Sequence, residues 1–112
     1  MLSIKKGENA LLKRFLKKKD KTDFNRSEFS EFTLDLIQGG VVVESYEFPS
    51  THLRAGAEDN EIEIEVSTAV SERFVGGKVV AKYIFTIPDA DLEDDEFTQI
   101  LTEEILDVEQ IP

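Results

Sequence analysis

Hydrophobic and polar positions alternate with period two through the middle of the chain. Residues 32–38 place Phe32, Leu34 and Leu36 on one face, and Val41 to Phe48 form a second strand-like run. Gly39-Gly40 joins the two, and glycine supplies the positive φ that tight hairpin turns require. Pro49 ends the second run, and 50–59 reads as a polar loop carrying His52, Arg54 and Gly56. Residues 61–66 alternate strictly. Ile62, Ile64 and Val66 are expected to face a core, and Glu61, Glu63 and Glu65 to face water. An all-acidic face would deter aggregation if that strand lay at a sheet edge. Residues 67–75 are expected to hold a short helical turn crossing between sheets. Gly76-Gly77 opens a long run, Lys78 to Ile87, with Val79, Ala81, Tyr83, Phe85 and Ile87 sharing a face. Pro88 breaks it.

The two ends are less regular. Residues 2–6 read as a short edge strand closed by Gly7. Over 9–19, Leu11, Leu12, Phe15 and Leu16 fall at helical spacing behind a possible Asn9 cap; the alternative is a strand with Leu12 and Leu16 inward. Residues 19–30 are polar and turn-rich. Over 97–108, Phe97, Ile100, Leu101, Ile105 and Val108 again favour a helix by period, with a strand as the alternative. The expected architecture is one all-β domain over 1–112, an immunoglobulin-like antiparallel β-sandwich of about seven strands. Helical ends would instead give an α+β fold, two helices of opposite charge on a four-stranded sheet.

Charge changes this picture more than composition does. The 112 residues carry a formal charge of -11. Residues 1–26 hold nine basic and three acidic side chains, net +6, and the remaining 86 residues net -17. Neutralisation within the fold is the simplest account, with the basic strand beside acidic ones. Head-to-tail docking between copies, or onto an acidic partner, is the sharper one. The interaction surface this suggests combines Lys13, Lys17 and Lys19 with Glu61, Glu63 and Glu65. Nucleic acid is disfavoured as a partner, because the acidic body repels phosphates beyond the immediate patch.

The inventory of reactive groups is thin. The absence of cysteine removes disulfides, thiol nucleophiles and thiolate metal sites. His52 is the sole imidazole, and no Gly-x-Ser-x-Gly elbow offers it a nucleophile. Gly39-Gly40 and Gly76-Gly77 lack the Lys-Ser/Thr ending of a phosphate loop. The run Asp89 to Glu96 could wrap a calcium ion with hard oxygens, although it lacks the Gly and Glu of an EF-hand loop; a solvated acidic loop is the plainer reading. No catalytic residue, cofactor or metal is therefore expected. No apolar stretch approaches a membrane span, and the first residues have no signal-like apolar core, so synthesis in the cytoplasm without export is expected.

One resemblance runs along the whole chain. Ile4-Lys5-Lys6-Gly7-Glu8 opens into an apolar–basic strand. The turn Asp20-Lys21-Thr22-Asp23-Phe24 follows, then the hairpin Phe32 to Phe48 and the alternating strand Glu61 to Val66. A glycine-led strand from Gly77-Lys78 reaches Tyr83 and Phe85, and Phe97 to Val108 closes the sequence. This order resembles the small immunoglobulin-like β-sandwich proteins of phages and prophages, particularly those of Bacteroides-type hosts. Lys21 stands where that family carries a turn glycine. The resemblance implies that both ambiguous ends are strands. It also implies a non-enzymatic structural role in a baseplate, tail or head decoration, with other virion or assembly proteins, or further copies, as partners.

Overall fold

The alternating runs pair into two facing sheets, in a computed structural model that describes residues 1–109. The strands are β1 (Leu2–Lys5), β2 (Ala10–Phe15), β3 (Glu31–Gln38), β4 (Val41–Phe48), β5 (Leu53–Ala55), β6 (Glu61–Val66), β7 (Gly77–Pro88) and β8 (Glu96–Glu109). Five form a curled sheet in the order β1-β8-β7-β3-β4, and three form a smaller sheet in the order β2-β6-β5. The helical turn expected within 67–75 is present as α1 (Thr68–Ser71), capped by the Ser67 side chain. It carries the chain from β6 in the small sheet to β7 in the large one. No helix is long and apolar enough to cross a membrane among the described residues.

Both ambiguous segments form strands, β2 within 9–19 and β8 across 97–108, so the helical period there misleads for an identifiable reason. In β8, Val79 pairs with Leu106 but Val80 pairs with Glu104, leaving Ile105 as an extra residue. A bulge of this kind shifts the side-chain alternation by one. Leu101, Glu103 and Ile105 face inward before it, and Leu106 and Val108 after it. Adjacent buried residues, Ile105 and Leu106, then imitate a helix. A second bulge leaves Val43 extra between the pairs Leu36–Glu44 and Ile37–Val42. Arg73, just after α1, seals it: Nη1 donates to the Val43 carbonyl at 2.8 Å and Nη2 to Glu44 at 2.5 Å.

Three further expectations are corrected. Leu53–Ala55, inside the segment expected to be loop, pairs with β6 and makes an eighth strand. Only Leu53 of the three is buried, too short a signal to separate a strand from a loop. β1 runs parallel to β8, Leu2 to Lys5 beside Leu106 to Glu109, so the sandwich is not wholly antiparallel. The chain turns at Gly7 (φ 91) and returns in the other sheet as β2. Finally, β6 is not an edge strand but lies between β2 and β5, and Glu61 at its start is buried.

The core lies between the sheets and is heavily aromatic toward one end. Phe32 stacks on Phe85 with centroids 4.6 Å apart, and Phe24 and Phe29 close over Phe85 at 4.6 and 5.1 Å. Phe24 and Phe29 come from the polar 19–30 segment, which therefore acts as a lid on the core. Polar contacts fasten this lid. Leu16 N–H donates to the Asn60 carbonyl at 2.7 Å, and Arg26 Nη1 donates to the carbonyls of Glu58 and Glu61 at 2.5 and 2.7 Å.

Glu61 completes the same corner by folding its carboxylate back onto the backbone, where Oε1 accepts the Ala57 N–H at 2.6 Å. That fold occupies the space a Cβ on Gly56 would need. Gly56→Ala must expel the carboxylate and leave the Ala57 N–H unpaired. Urea unfolding is expected to show a loss of about 1–3 kcal/mol. An unchanged midpoint would contradict the Glu61 placement.

Candidate functional site

A sandwich has two sides where the sheets meet, and here they differ. On one side β4 runs through Phe48-Pro49 almost directly into β5, so the two sheets are joined by a short connection. On the other side the edges are β8 of the large sheet and β2 of the small one. β1 covers only Leu106 to Glu109 of β8. Among the described residues no strand pairs with the outer edge of Glu96 to Ile105, nor with the outer edge of β2.

Side chains close this seam instead of backbone. Arg14 occupies an inward position of β2, between Leu12 and Leu16, and Glu103 an inward position of β8. They meet as a bidentate pair, Nε to Oε1 at 2.9 Å and Nη2 to Oε2 at 2.6 Å. The fork of the guanidinium matches a carboxylate in this geometry. The Tyr83 hydroxyl, on β7, donates to the same Glu103 Oε1 at 2.5 Å. The Glu103 contact holds the Arg14 guanidinium above its already high range, so it stays charged.

Beyond this bridge the chain leaves β2 and swings away, which opens a groove of about 360 Å³. Leu16, Tyr83 and Leu101 line it with apolar surface, exposed Phe15 flanks them, and Lys17, Lys18, Lys19 and Lys21 complete the lining. Thr102 and Glu103 of the open β8 edge form the opposite wall. Lys17 pairs with Asp23 and Lys18 with Glu28. The Lys18 hydrogen bond holds the Glu28 carboxyl below its usual range and raises the Lys18 ammonium. Lys19 and Lys21 make no salt bridge among the described residues. Phe15 is 56% exposed, an uncommon setting for an aromatic ring beside a lysine cluster.

The residues singled out from sequence therefore fall into three places. Lys17 and Lys19 line the groove. Lys13 faces Glu63 across the β2–β6 pair on the outer face of the small sheet, and Arg54 reaches Glu63 at 3.7 Å and Glu65 at 2.8 Å on that face. Glu61 is turned inward and satisfied. The basic strand thus lies beside the acidic one, and internal neutralisation accounts for the outer face of the small sheet but not for the groove. Leu101 and the Arg14–Glu103 bridge were not foreseen, and Lys18 and Lys21, part of the basic run from Lys13 to Lys21, were not assigned to the surface. A charge at an inward strand position, and a lysine at a turn position suited to glycine, were the available signals.

The other candidates are scattered. His52 lies 3.8 Å from a Glu65 carboxylate oxygen and beside the Tyr46 ring at 6.1 Å, and its carbonyl accepts the Glu65 N–H. Among the described residues no three acidic or imidazole side chains converge on a point that could hold a metal ion, Asp89 to Glu96 included. Comparison of the chain with protein-family models, with curated proteins and with solved structures finds no match.

Both tyrosines are buried, and the chain has no tryptophan to obscure them. Burial, reinforced by the Glu44 charge, pushes the Tyr46 phenol up to about 12, and its hydroxyl has no hydrogen-bond partner among the described residues. Burial, then the Glu103 carboxylate, pushes Tyr83 up as well. A raised phenol favours the neutral form in the fold. Its contribution is complete below the unfolded value of 10 and is lost as pH rises above it. An absorbance titration is expected to show little phenolate in the folded protein at pH 10, where the protein in urea is half ionised. Half ionisation without denaturant at that pH would contradict both placements.

Proposed function

We propose that this protein is a non-catalytic structural module that assembles with copies of itself through charged surfaces at its open sheet edges. The carrying observation is the groove at the β2–β8 seam, apolar side chains beside four lysines on a molecule whose net charge is -11. A local basic surface on an acidic body is what selective docking of like molecules needs. It attracts an acidic region of another copy, while the bodies repel in any other orientation.

The order of strands and turns resembles phage and prophage sandwich proteins, so the setting proposed is a virion, as part of a baseplate, tail or head decoration. Repeated copies in such an assembly need a directional contact rather than a cleft for chemistry. The engagement of His52 with Glu65, away from the groove, supports the same reading.

Salt separates the two electrostatic effects. At about 0.1 M the screening length is about 10 Å, which damps repulsion between whole bodies and leaves close contacts attractive. At about 1 M it is about 3 Å, and the contacts weaken too. Light scattering across a concentration series is expected to show mass above the monomer at the lower salt and a shift toward monomer at the higher. A monomer at both would count against self-assembly by charge.

A further inference from the structure

The β7–β8 hairpin extends past β3, whose last partner on β7 is Thr86, and ends in the loop between Pro88 and Glu96. That loop carries Asp89, Asp91, Glu93, Asp94, Asp95 and Glu96, with no basic residue among them. Its backbone is closed on itself by Asp89 N–H to the Asp95 carbonyl at 2.9 Å and Asp95 N–H to the Leu92 carbonyl at 3.0 Å. Leu92, at the tip, is 41% exposed. The tip therefore carries one exposed apolar side chain among six acidic residues.

The groove has the complementary pattern, apolar Phe15 and Leu101 among four lysines. We infer that the groove of one copy receives the Asp89–Glu96 tip of a second copy, Leu92 seated on Phe15 and Leu101 and the carboxylates facing Lys19 and Lys21. This rests on the self-assembly reading above and names its two surfaces. The tip cannot fill the groove of its own molecule. Leu101 lies six residue steps beyond Asp95 along the extended chain, about 20 Å at the usual strand rise. The long axis of 54 Å against widths of 29 and 25 Å fits a hairpin held away from the body.

A second observation concerns the backbone. Lys21 has φ 73 and Asp95 φ 59, both left-handed positions that glycine fills at lower cost. Each surface thus keeps a charged side chain where the local turn alone would favour glycine. The contact is heterologous, tip to groove, so each copy retains one free tip and one free groove. Copies then add head to tail into a ring or an open chain.

Charge reversal tests the pairing. One variant carries Lys19→Glu and Lys21→Glu, the other Asp91→Lys and Glu93→Lys. All four residues are exposed, so circular dichroism should match the starting protein. In light scattering at about 0.1 M salt, each variant alone is expected to associate on the order of tenfold or more weakly. An equimolar mixture of the two should regain the starting mass, because each reversed surface meets its opposite. If the groove reversal unfolds, Lys19→Ala with Lys21→Gly relaxes the turn, and it too should weaken association. A tip variant that associates as the starting protein does would remove the tip as occupant, while leaving self-assembly itself standing. A mixture that stays dissociated would overturn the tip-to-groove pairing. A starting protein that is monomeric at both salts fails the earlier test instead.

Discussion

At the seam of the sandwich, β2 and β8 approach each other from different sheets and exchange no backbone ladder among the described residues. Something else must fix their separation. The bidentate Arg14–Glu103 pair does so, with Tyr83 supplying a third hydrogen bond from the interior. Both charged side chains are partly exposed, so full desolvation is avoided and the pair keeps its geometric selectivity. Residues immediately beyond it, Leu16 on one side and Leu101 on the other, then diverge around a groove rather than collapse or zip together. The large sheet is tied to the small one at this side by a polar staple, and at the other by the short β4–β5 connection.

Several charges are neutralised between neighbouring strands or across their ends. Arg54 serves Glu63 and Glu65, Arg73 serves Glu44, and Lys78 serves Glu104. These surface pairs contribute little stability each, since exposed ion pairs typically give about 0.2–1 kcal/mol. Their effect is to quiet most of the surface. Two local accumulations stand out beside these pairs, Lys19 and Lys21 at the groove and the carboxylates of Asp89 to Glu96 at the tip of the longest hairpin. Of the +6 opening segment, Lys13 and Arg14 lie on β2 beside or facing acidic strands, while Lys17 to Lys21 gather at the groove.

The middle of the fold was legible because one period governs it. Phe32, Leu34 and Leu36, the Gly39-Gly40 turn, and Val79 through Phe85 all follow strict alternation and are placed accordingly. The ends were not legible by period, for opposite reasons. In β8 the bulge at Ile105 breaks the alternation, while in β2 the exposed Leu11 and Phe15 add outward apolar residues that fill in a helical stripe. Phe29 was missed because a lid residue needs no period at all, whereas Phe24 stood out by core-like spacing. The groove was only half visible. Lys17 and Lys19 could be singled out by charge, but their neighbours Tyr83 and Leu101 lie about 65 and about 83 residues away and meet them only through the β2–β8 seam. Glu61 shows the converse limit, since alternation placed it in water and a loop glycine drew it inside.

The lack of any cysteine allows a single probe to be introduced without ambiguity. A spin label on Leu92→Cys, mixed at about 0.1 M salt with an isotopically labelled copy that carries no spin label, reports which amides of the second molecule lie near the tip of the first. Tip-to-groove docking predicts selective broadening over Lys17 to Lys21 and Leu101 to Glu103, abolished at about 1 M salt. Broadening confined elsewhere, or none at a concentration where the proteins associate, would contradict it.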